Sequence, residues 1–172
     1  MKRVAFVLGL LVVVGFGSVY AARWQIVNAA IRREFRNVPR ISTAELANWL
    51  NDTSRAAPLL LDTRTRAEYE VSHLPGAVYA GMDADYILPD EPRDRPIVTY
   101  CSVGYRSAKF ARQLQSIGYT NVRNLEGSIF KWANEERPVL RDGNLVTEVH
   151  PYNSTWGLLL AKKYRARVGS HD

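Results

Sequence analysis

From Val38 onward, short apolar runs of strand length alternate with segments of helical periodicity. The clearest run is residues 59–61, which ends on Asp62; comparable runs are residues 77–80, 97–100 and 122–125. Runs that are apolar throughout are typical of strands buried on both faces, as in parallel sheets. The alternation predicts an α/β domain with a central parallel sheet of about five strands, helices on both faces and right-handed crossovers.

Three segments before, between and after these runs have the signals of helices. Ser42 and Glu45 have the spacing of a capping box, in which the two side chains accept hydrogen bonds from free amides of the first turn. Residues 107–117 place small and apolar side chains on one side, and Gly118 follows as a terminator. Residues 128–136 predict a shorter helix. These helices fill the positions that a parallel sheet requires between its strands.

The chain begins with a membrane-like segment. Residues 4–22 contain no charged side chain and follow Lys2 and Arg3, a pattern typical of a signal peptide or a membrane anchor. The stretch is about long enough to span a bilayer, so we favour an uncleaved hydrophobic helix over residues 1–22. The pattern predicts a membrane-anchored or exported protein. Export favours a periplasmic or other extracytoplasmic domain, whereas the arginines after the segment favour a cytoplasmic one, and both orientations stay open.

Two further segments flank the predicted domain, which covers residues 38–137. Residues 23–37 predict an amphipathic connecting helix whose apolar stripe packs on the domain or, as the alternative, on an anionic membrane surface. Residues 138–172 predict a C-terminal extension that starts with a short hairpin around Asp142 and Gly143. We expect its apolar residues to pack on the domain core rather than on lipid.

The charge distribution argues against nucleic acid as a partner. The formal net charge is +6, but acidic residues interrupt the basic ones over most of the chain, whereas a nucleic-acid-binding surface clusters them on one element. The histidines, His73, His150 and His171, lack the spacing of metal ligands, and the chain has a single cysteine. The sequence therefore predicts no metal site and no cofactor.

That cysteine, Cys101, lies where an apolar strand ends and a strand-to-helix loop begins. Ligands of parallel sheets bind beyond the carboxyl ends of the strands. Gly104 permits a tight loop, Arg106 supplies a permanent cation, and amides ahead of a helix stabilise an anion. A lone cysteine is often only a small buried hydrophobe, but this loop favours a nucleophilic thiolate.

The same loop, "CSVGYRS" at residues 101–107, resembles the active-site loop of rhodanese-like domains, in which a cysteine carries a sulfane sulfur as a persulfide. "LLLDTRTRAEYEVSHLPGA" at residues 59–77 resembles the first signature of that family, and "NLEGSIFKW" at residues 124–132 resembles its C-terminal signature. Ser72 and Ser128 stand where the family usually has glycine, so the local backbone there is expected to differ.

The resemblance implies a thiosulfate-type sulfurtransferase, with a small sulfur-containing anion as donor and a thiol, a protein or cyanide as acceptor. Cys101 would be the catalytic residue, and the loop amides would surround its sulfur. The substrate-binding residues implied are Ser102, Val103, Gly104, Tyr105, Arg106, Ser107 and Arg64. Arg64 has an alternative role, an ion pair with Asp62 or Glu68. Tyr105 either forms an apolar lip over the sulfur or faces solvent.

Two other functions stay open. A non-catalytic rhodanese-like module would bind a partner, or relay sulfur only from a dedicated protein. A cysteine phosphatase or arsenate reductase would wrap its loop around a tetrahedral oxyanion. The chain has four residues between Cys101 and Arg106, one fewer than such enzymes place there, and this smaller ring suits a single sulfur atom better.

Overall fold

The computed structural model describes residues 21–82 and 91–167. Its centre is a five-stranded sheet in the order β1-β5-β4-β2-β3. The strands are β1 (Arg40–Ile41), β2 (Leu59–Asp62), β3 (Ala77–Tyr79), β4 (Ile97–Tyr100) and β5 (Val122–Leu125). Every pairing between neighbouring strands is parallel, which confirms the predicted sheet. β4 is central, and all four of its residues are buried.

Helices cover both faces of the sheet, as predicted. They are α1 (residues 21–34), α2 (Thr43–Asn51), α3 (Arg66–Val71), α4 (Tyr105–Ser116) and α5 (Ser128–Asn134). α2 and α5 pack on one face together with Leu60 of β2, whereas α1 and α4 pack on the other face with the adjacent Leu61. Successive strand residues point to opposite faces, so a continuous apolar strand supplies both cores.

Two helices begin with capping boxes. At α2, Ser42 Oγ accepts a hydrogen bond from the Glu45 amide at 3.1 Å, and Glu45 Oε2 accepts one from the Ser42 amide at 2.9 Å. This box confirms the prediction. Thr65 and Glu68 form a second box at α3, a helix that the sequence analysis did not predict. The second box matters for function, because it places Glu68 at the carboxyl edge of the sheet.

The bounds of two predicted helices differ in the structure. α4 begins at Tyr105 rather than at residue 107, because Gly104 adopts a φ of 111° and turns the chain into the helix. α5 ends at Asn134 rather than at residue 136, because Glu136 adopts a φ of 60° and leaves the helical conformation. The earlier start of α4 brings Tyr105 and Arg106 into its first turn.

The flanking segments pack on the domain. Ile31 of α1 and Phe35 just after it are buried against α4, so these members of the apolar stripe pack on the domain. β6 (Val139–Arg141) and β7 (Asn144–Val146) form the expected hairpin, with positive φ at both turn residues, Asp142 and Gly143. Two 3₁₀ helices follow, Trp156–Leu159 and Lys162–Tyr164. Leu159 and Leu160 are buried in the core beside α5.

Within the described residues, no helix combines the length and the apolarity that crossing a membrane requires. The predicted hydrophobic helix over residues 1–22 falls almost wholly on residues 1–20, which lie outside the described part of the chain.

Candidate active site

Cys101 follows β4 directly and lies at the carboxyl edge of the sheet, where the sequence predicts a ligand site. The residue is 1% exposed. Its Sγ accepts a hydrogen bond from the Gly104 amide at a distance of 3.1 Å. Gly104 has a φ of 111°, a conformation that residues with a Cβ rarely adopt. The loop therefore turns back so that a main-chain dipole points at the sulfur, just ahead of α4.

Asn124 of β5 stabilises the active-site loop through two hydrogen bonds. The Asn124 Nδ2 donates to the Gly104 carbonyl at 3.0 Å, and the Asn124 Oδ1 accepts from the Ser107 hydroxyl at 2.7 Å. The Ser107 side chain is fully buried and supports the loop, whereas the predicted contribution of its amide to the surroundings of the sulfur stays a prediction. The sequence analysis missed this role of Asn124, although an amide side chain within a predicted strand is the signal that could have revealed it.

α5 holds the loop from the side. The amides of Ile129 and Phe130 donate to the carbonyls of Cys101 and Ser102, each at 3.1 Å. The Ser128 hydroxyl accepts from the Cys101 amide at 3.1 Å and donates to the Leu125 carbonyl at the same distance. Ser128 has a φ of 49°, a conformation that glycine adopts more easily. Its hydroxyl satisfies the Cys101 amide, a hydrogen bond that glycine cannot make.

The second departure from the family pattern is Ser72, which stands in place of the usual glycine. Ser72 has a φ of −174°, which is an extended backbone that any residue adopts. Serine at this position therefore requires no unusual conformation.

Arg106 forms a paired contact with Glu68. Its Nη1 and Nη2 donate to the two carboxylate oxygens at 2.8 and 2.7 Å, and Nη2 also donates to Ser102 Oγ at 2.9 Å. The Ser102 hydroxyl in turn donates to Glu68 Oε1 at 2.9 Å. A two-point contact of this kind fixes the plane of the guanidinium group. The resemblance pointed to Arg106 and Ser102, whereas Glu68 was considered only as a partner of Arg64.

The charges in this pair are stable near neutral pH. Burial alone would raise the pKa of Glu68, but the hydrogen bonds and positive charge of Arg106 outweigh it and lower the pKa to about 2. Burial alone would lower the pKa of Arg106, but its hydrogen bonds to Glu68 and its charge interactions with Cys101 and Glu68 raise it. Both groups are therefore ionised, and Glu68 balances the cation beside the cysteine.

Arg64 lies elsewhere and is fully buried. Its Nε donates to Asp62 Oδ1 at 2.9 Å, and its Nη2 donates to Asp62 Oδ2 at 2.6 Å and to the Ser72 carbonyl at 2.5 Å. This placement corrects the expectation that Arg64 binds an anionic donor, because a buried and ion-paired guanidinium offers no surface to a dissolved anion. The alternative role, an ion pair with Asp62 at the end of β2, is the one observed.

A cavity of about 460 Å³ opens over Cys101. The residues that the active-site loop contributes to it are Cys101, Ser102, Val103, Tyr105 and Arg106. The opposite wall comes from α1 and consists of Ile26, Val27, Ala30 and Ile31. The C-terminal extension adds Tyr152 and Trp156. Segments on both sides of the predicted domain therefore complete the site, a contribution that the sequence analysis did not predict.

Two tyrosines connect these walls to the loop. Tyr105 lines the cavity and is also 44% exposed. It therefore combines the two predicted roles, an apolar lip beside the sulfur and a side chain that faces solvent. Its hydroxyl donates to Glu34 of α1 at 2.7 Å, and its ring meets the edge of Phe35 with centroids 5.3 Å apart. The Arg106 Cζ lies 4.6 Å from the centre of the Tyr152 ring, within the range of a cation–π contact. These contacts attach α1 and the extension to α4.

In the described ranges, no three or more His, Cys, Asp or Glu side chains are grouped so as to hold a metal ion.

Comparisons with known proteins agree with this geometry. The family model described as "Rhodanese-like domain" matches residues 42–135. A "Sulfurtransferase" from Allochromatium vinosum is 36% identical over 104 residues, which cover 60% of this chain and 95% of that protein. A "Probable adenylyltransferase/sulfurtransferase MoeZ" from Mycobacterium tuberculosis is 31% identical over 101 residues, covering 57% of this chain. The chain spans only 25% of the length of that second protein.

The relatives also include a protein with a different name, the "tRNA uridine(34) hydroxylase" from Bordetella avium. It is 31% identical over 116 residues, which cover 62% of this chain and 48% of the relative. Among solved structures, a rhodanese-like domain protein from Staphylococcus aureus aligns with a TM-score of 0.51 and 26% identity, covering 63% of this chain and 97% of the other. The family match spans more than half of the sequence and includes the cysteine loop, and the chain accordingly belongs to the rhodanese-like domain family.

Proposed function

We propose that the protein is a sulfurtransferase in which Cys101 accepts a sulfane sulfur as a persulfide and passes it to a thiol acceptor. The observation that carries the proposal is the Gly104 amide that donates to Cys101 Sγ at 3.1 Å beside an open cavity. A main-chain N–H directed at the sulfur stabilises negative charge there.

The reaction has two displacement steps. In the first, the Cys101 thiolate attacks the outer sulfur of the donor and forms an S–S bond. The bond between that sulfur and the rest of the donor breaks, and its electron pair leaves with the rest of the donor. In the second, an acceptor thiolate or cyanide attacks the outer sulfur of the persulfide, and Cys101 leaves as a thiolate. No net oxidation or reduction of the enzyme occurs over the cycle, so no redox cofactor is required.

Mass spectrometry of the intact protein after treatment with thiosulfate tests the proposal. We expect wild type to gain the mass of one sulfur atom on the peptide that contains Cys101, and to lose it when cyanide is added, with release of thiocyanate. Cys101→Ser should gain nothing. Absence of the adduct from wild type after treatment with thiosulfate and with organic thiosulfonates alike would contradict sulfur transfer and favour the non-catalytic binding module.

A generic aryl phosphate separates this activity from that of a phosphatase. The loop has four residues between Cys101 and Arg106, and Glu68 occupies two of the guanidinium positions that an oxyanion would need. We therefore expect no release of phosphate. Phosphate release without formation of thiocyanate would overturn the assignment.

We further propose that residues 1–22 hold the domain at a membrane, since residues 4–22 carry no charge. The full chain should then sediment with membranes, and a chain lacking residues 1–22 should not. Protease protection of the full chain in intact cells would identify the side on which the domain lies.

A further inference from the structure

The walls of the cavity over Cys101 are mainly apolar. α1 contributes Ile26, Val27 and Ala30, and the extension contributes Trp156. These residues lie outside residues 42–135, the part that matches the family model. Ile26 is 70% exposed although it is strongly apolar. The chain thus adds an apolar surface to the family module directly beside its sulfur.

Among the described residues that line the cavity, Arg106 is the one basic side chain, and its charge is already balanced. Glu68 binds it at two points and is ionised, and the Ser102 hydroxyl is also bonded to Glu68. A dianion that approaches the cysteine thiolate would therefore meet no net positive charge from this pair. A donor with less charge and more apolar surface suits the site better, because apolar burial does not depend on an unpaired cation.

The size of the cavity leads to the same conclusion. A volume of about 460 Å³ lies within the range of small-molecule sites and far exceeds what an inorganic sulfur anion fills. A second cavity, of about 290 Å³, shares Ile26, Val27 and Trp156 with the first, so the apolar surface continues along α1. The space and its lining fit an organic group beside the reacting sulfur.

We propose that the sulfur donor is an organic compound whose apolar group, the size of an aromatic ring or larger, binds between α1 and the C-terminal extension. This inference rests on the proposed sulfurtransferase function and names its substrate class. The sulfane sulfur of the donor then points to Cys101 at the base of the cavity.

Thiosulfonate anions, R–SO₂–S⁻, are suitable probes because R changes while the reacting sulfur stays the same. The Cys101 thiolate attacks the outer sulfur, a new S–S bond forms, and the bond between the two donor sulfurs breaks. The sulfinate R–SO₂⁻ leaves with that electron pair, and the persulfide keeps one negative charge, so two negative charges are present before and after. The step needs no further reactant.

The experiment compares benzenethiosulfonate, methanethiosulfonate and thiosulfate by the second-order rate constant for persulfide formation on the full chain. The rate constants are divided by those of a small thiol in solution to remove differences in intrinsic reactivity. We expect the benzene compound to be favoured over the methane compound by about tenfold or more, as apolar groups of this size difference are distinguished in enclosed sites. Thiosulfate should be the poorest of the three.

A matched pair of variants tests the position of the pocket. Ala30→Phe fills the cavity from an exposed helical position, whereas Ala29→Phe adds the same ring at the neighbouring exposed position, which does not line it. We expect Ala30→Phe to reduce the preference for the benzene compound by about fivefold to tenfold, and Ala29→Phe to leave it unchanged. Circular dichroism checks that both variants remain folded.

Each outcome bears on one of the two proposals. Equal corrected rate constants for the two thiosulfonates, with persulfide formed, would overturn the apolar substrate class and leave the sulfurtransferase function intact. A preference that Ala30→Phe does not alter would also overturn it. No persulfide on Cys101 from any of the three donors would overturn the sulfurtransferase function itself, and the substrate class with it.

Discussion

Two arginines at the carboxyl edge of the sheet form paired contacts with carboxylates, yet their positions differ. Arg64 is fully buried against Asp62, whereas the Arg106 side chain is 21% exposed and lines the cavity beside Cys101. An arginine in a family motif can therefore either stabilise the structure around a site or face its substrate. Solvent access decides which, because only a group that water reaches can exchange water for a ligand.

Arg64→Leu should have the largest effect, and it should be on stability. The variant leaves Asp62 as a buried charge without its partner, which costs about 3–5 kcal/mol in the free energy of unfolding. Denaturant titration measures the loss. At a temperature where the variant is folded, persulfide formation at Cys101 should proceed near the wild-type rate. A normal stability combined with a strongly reduced rate would show that Arg64 acts on the substrate after all.

Arg106→Leu should reduce the rate of persulfide formation more than it reduces stability. The side chain contacts Ser102 Oγ in the active-site loop and lies at the cavity, so its loss should slow persulfide formation about 10- to 100-fold. The free energy of unfolding should fall less than in Arg64→Leu, because water can reach the position of the partly exposed Arg106 and Glu68 keeps its hydrogen bonds from the Thr65 amide and the Ser102 hydroxyl. Rate constants and denaturant curves for the two leucine variants, measured side by side, check this. Equal loss of stability in both would remove the distinction.

The Arg106 pair should also give a measurable pH dependence. The pKa of Glu68 is about 2 in the folded protein, below its ordinary value of 4.5. A carboxyl with a lowered pKa contributes stability above the unfolded value, and that contribution is lost as the pH falls from about 4.5 towards 2. Glu68→Gln should therefore lose less stability than wild type over this range. Acid titrations of the two proteins in parallel measure the two losses of stability. Equal losses would contradict the assignment.

Glu68→Gln should have the smallest effect, a change in donor preference. Without the carboxylate charge, Arg106 becomes a net cation beside the sulfur, so the corrected rate constant for thiosulfate should rise by about twofold to fivefold. The rate constant for benzenethiosulfonate should change less, because its apolar group does not rely on that charge. The ratio of the two rate constants at low ionic strength is the measurement. An unchanged ratio would show that Glu68 does not set the preference.

Much of the fold could be predicted because its signals are local. The apolar runs at β2 and β4, the capping box at Ser42 and the turn at Gly143 each lie within a few residues of the chain. β1 is two residues long, too short to show a period, and it was missed. The start of α3 was missed although Thr65 and Glu68 have capping-box spacing. That signal was present in the sequence and was interpreted only as part of a longer motif.

The site was predictable to a lesser degree. The resemblance pointed to Cys101 and to the loop residues that line the cavity, but it also included Arg64, whose burial arises from packing that no local pattern encodes. The contributions of Ala30 and Trp156 depend on contacts between residues far apart in the sequence. Such contacts follow from how α1 and the extension cross the finished sheet, and composition gives no indication of them.

The cavity has an architectural consequence. Its floor belongs to the middle of the chain, whereas its opposing walls come from a segment that precedes the module and one that follows it. Under the proposed function, substitutions in α1 or in the C-terminal extension would change which donors bind while the loop that contains Cys101 stays unchanged. A common catalytic unit can in this way acquire new selectivity through its flanks alone.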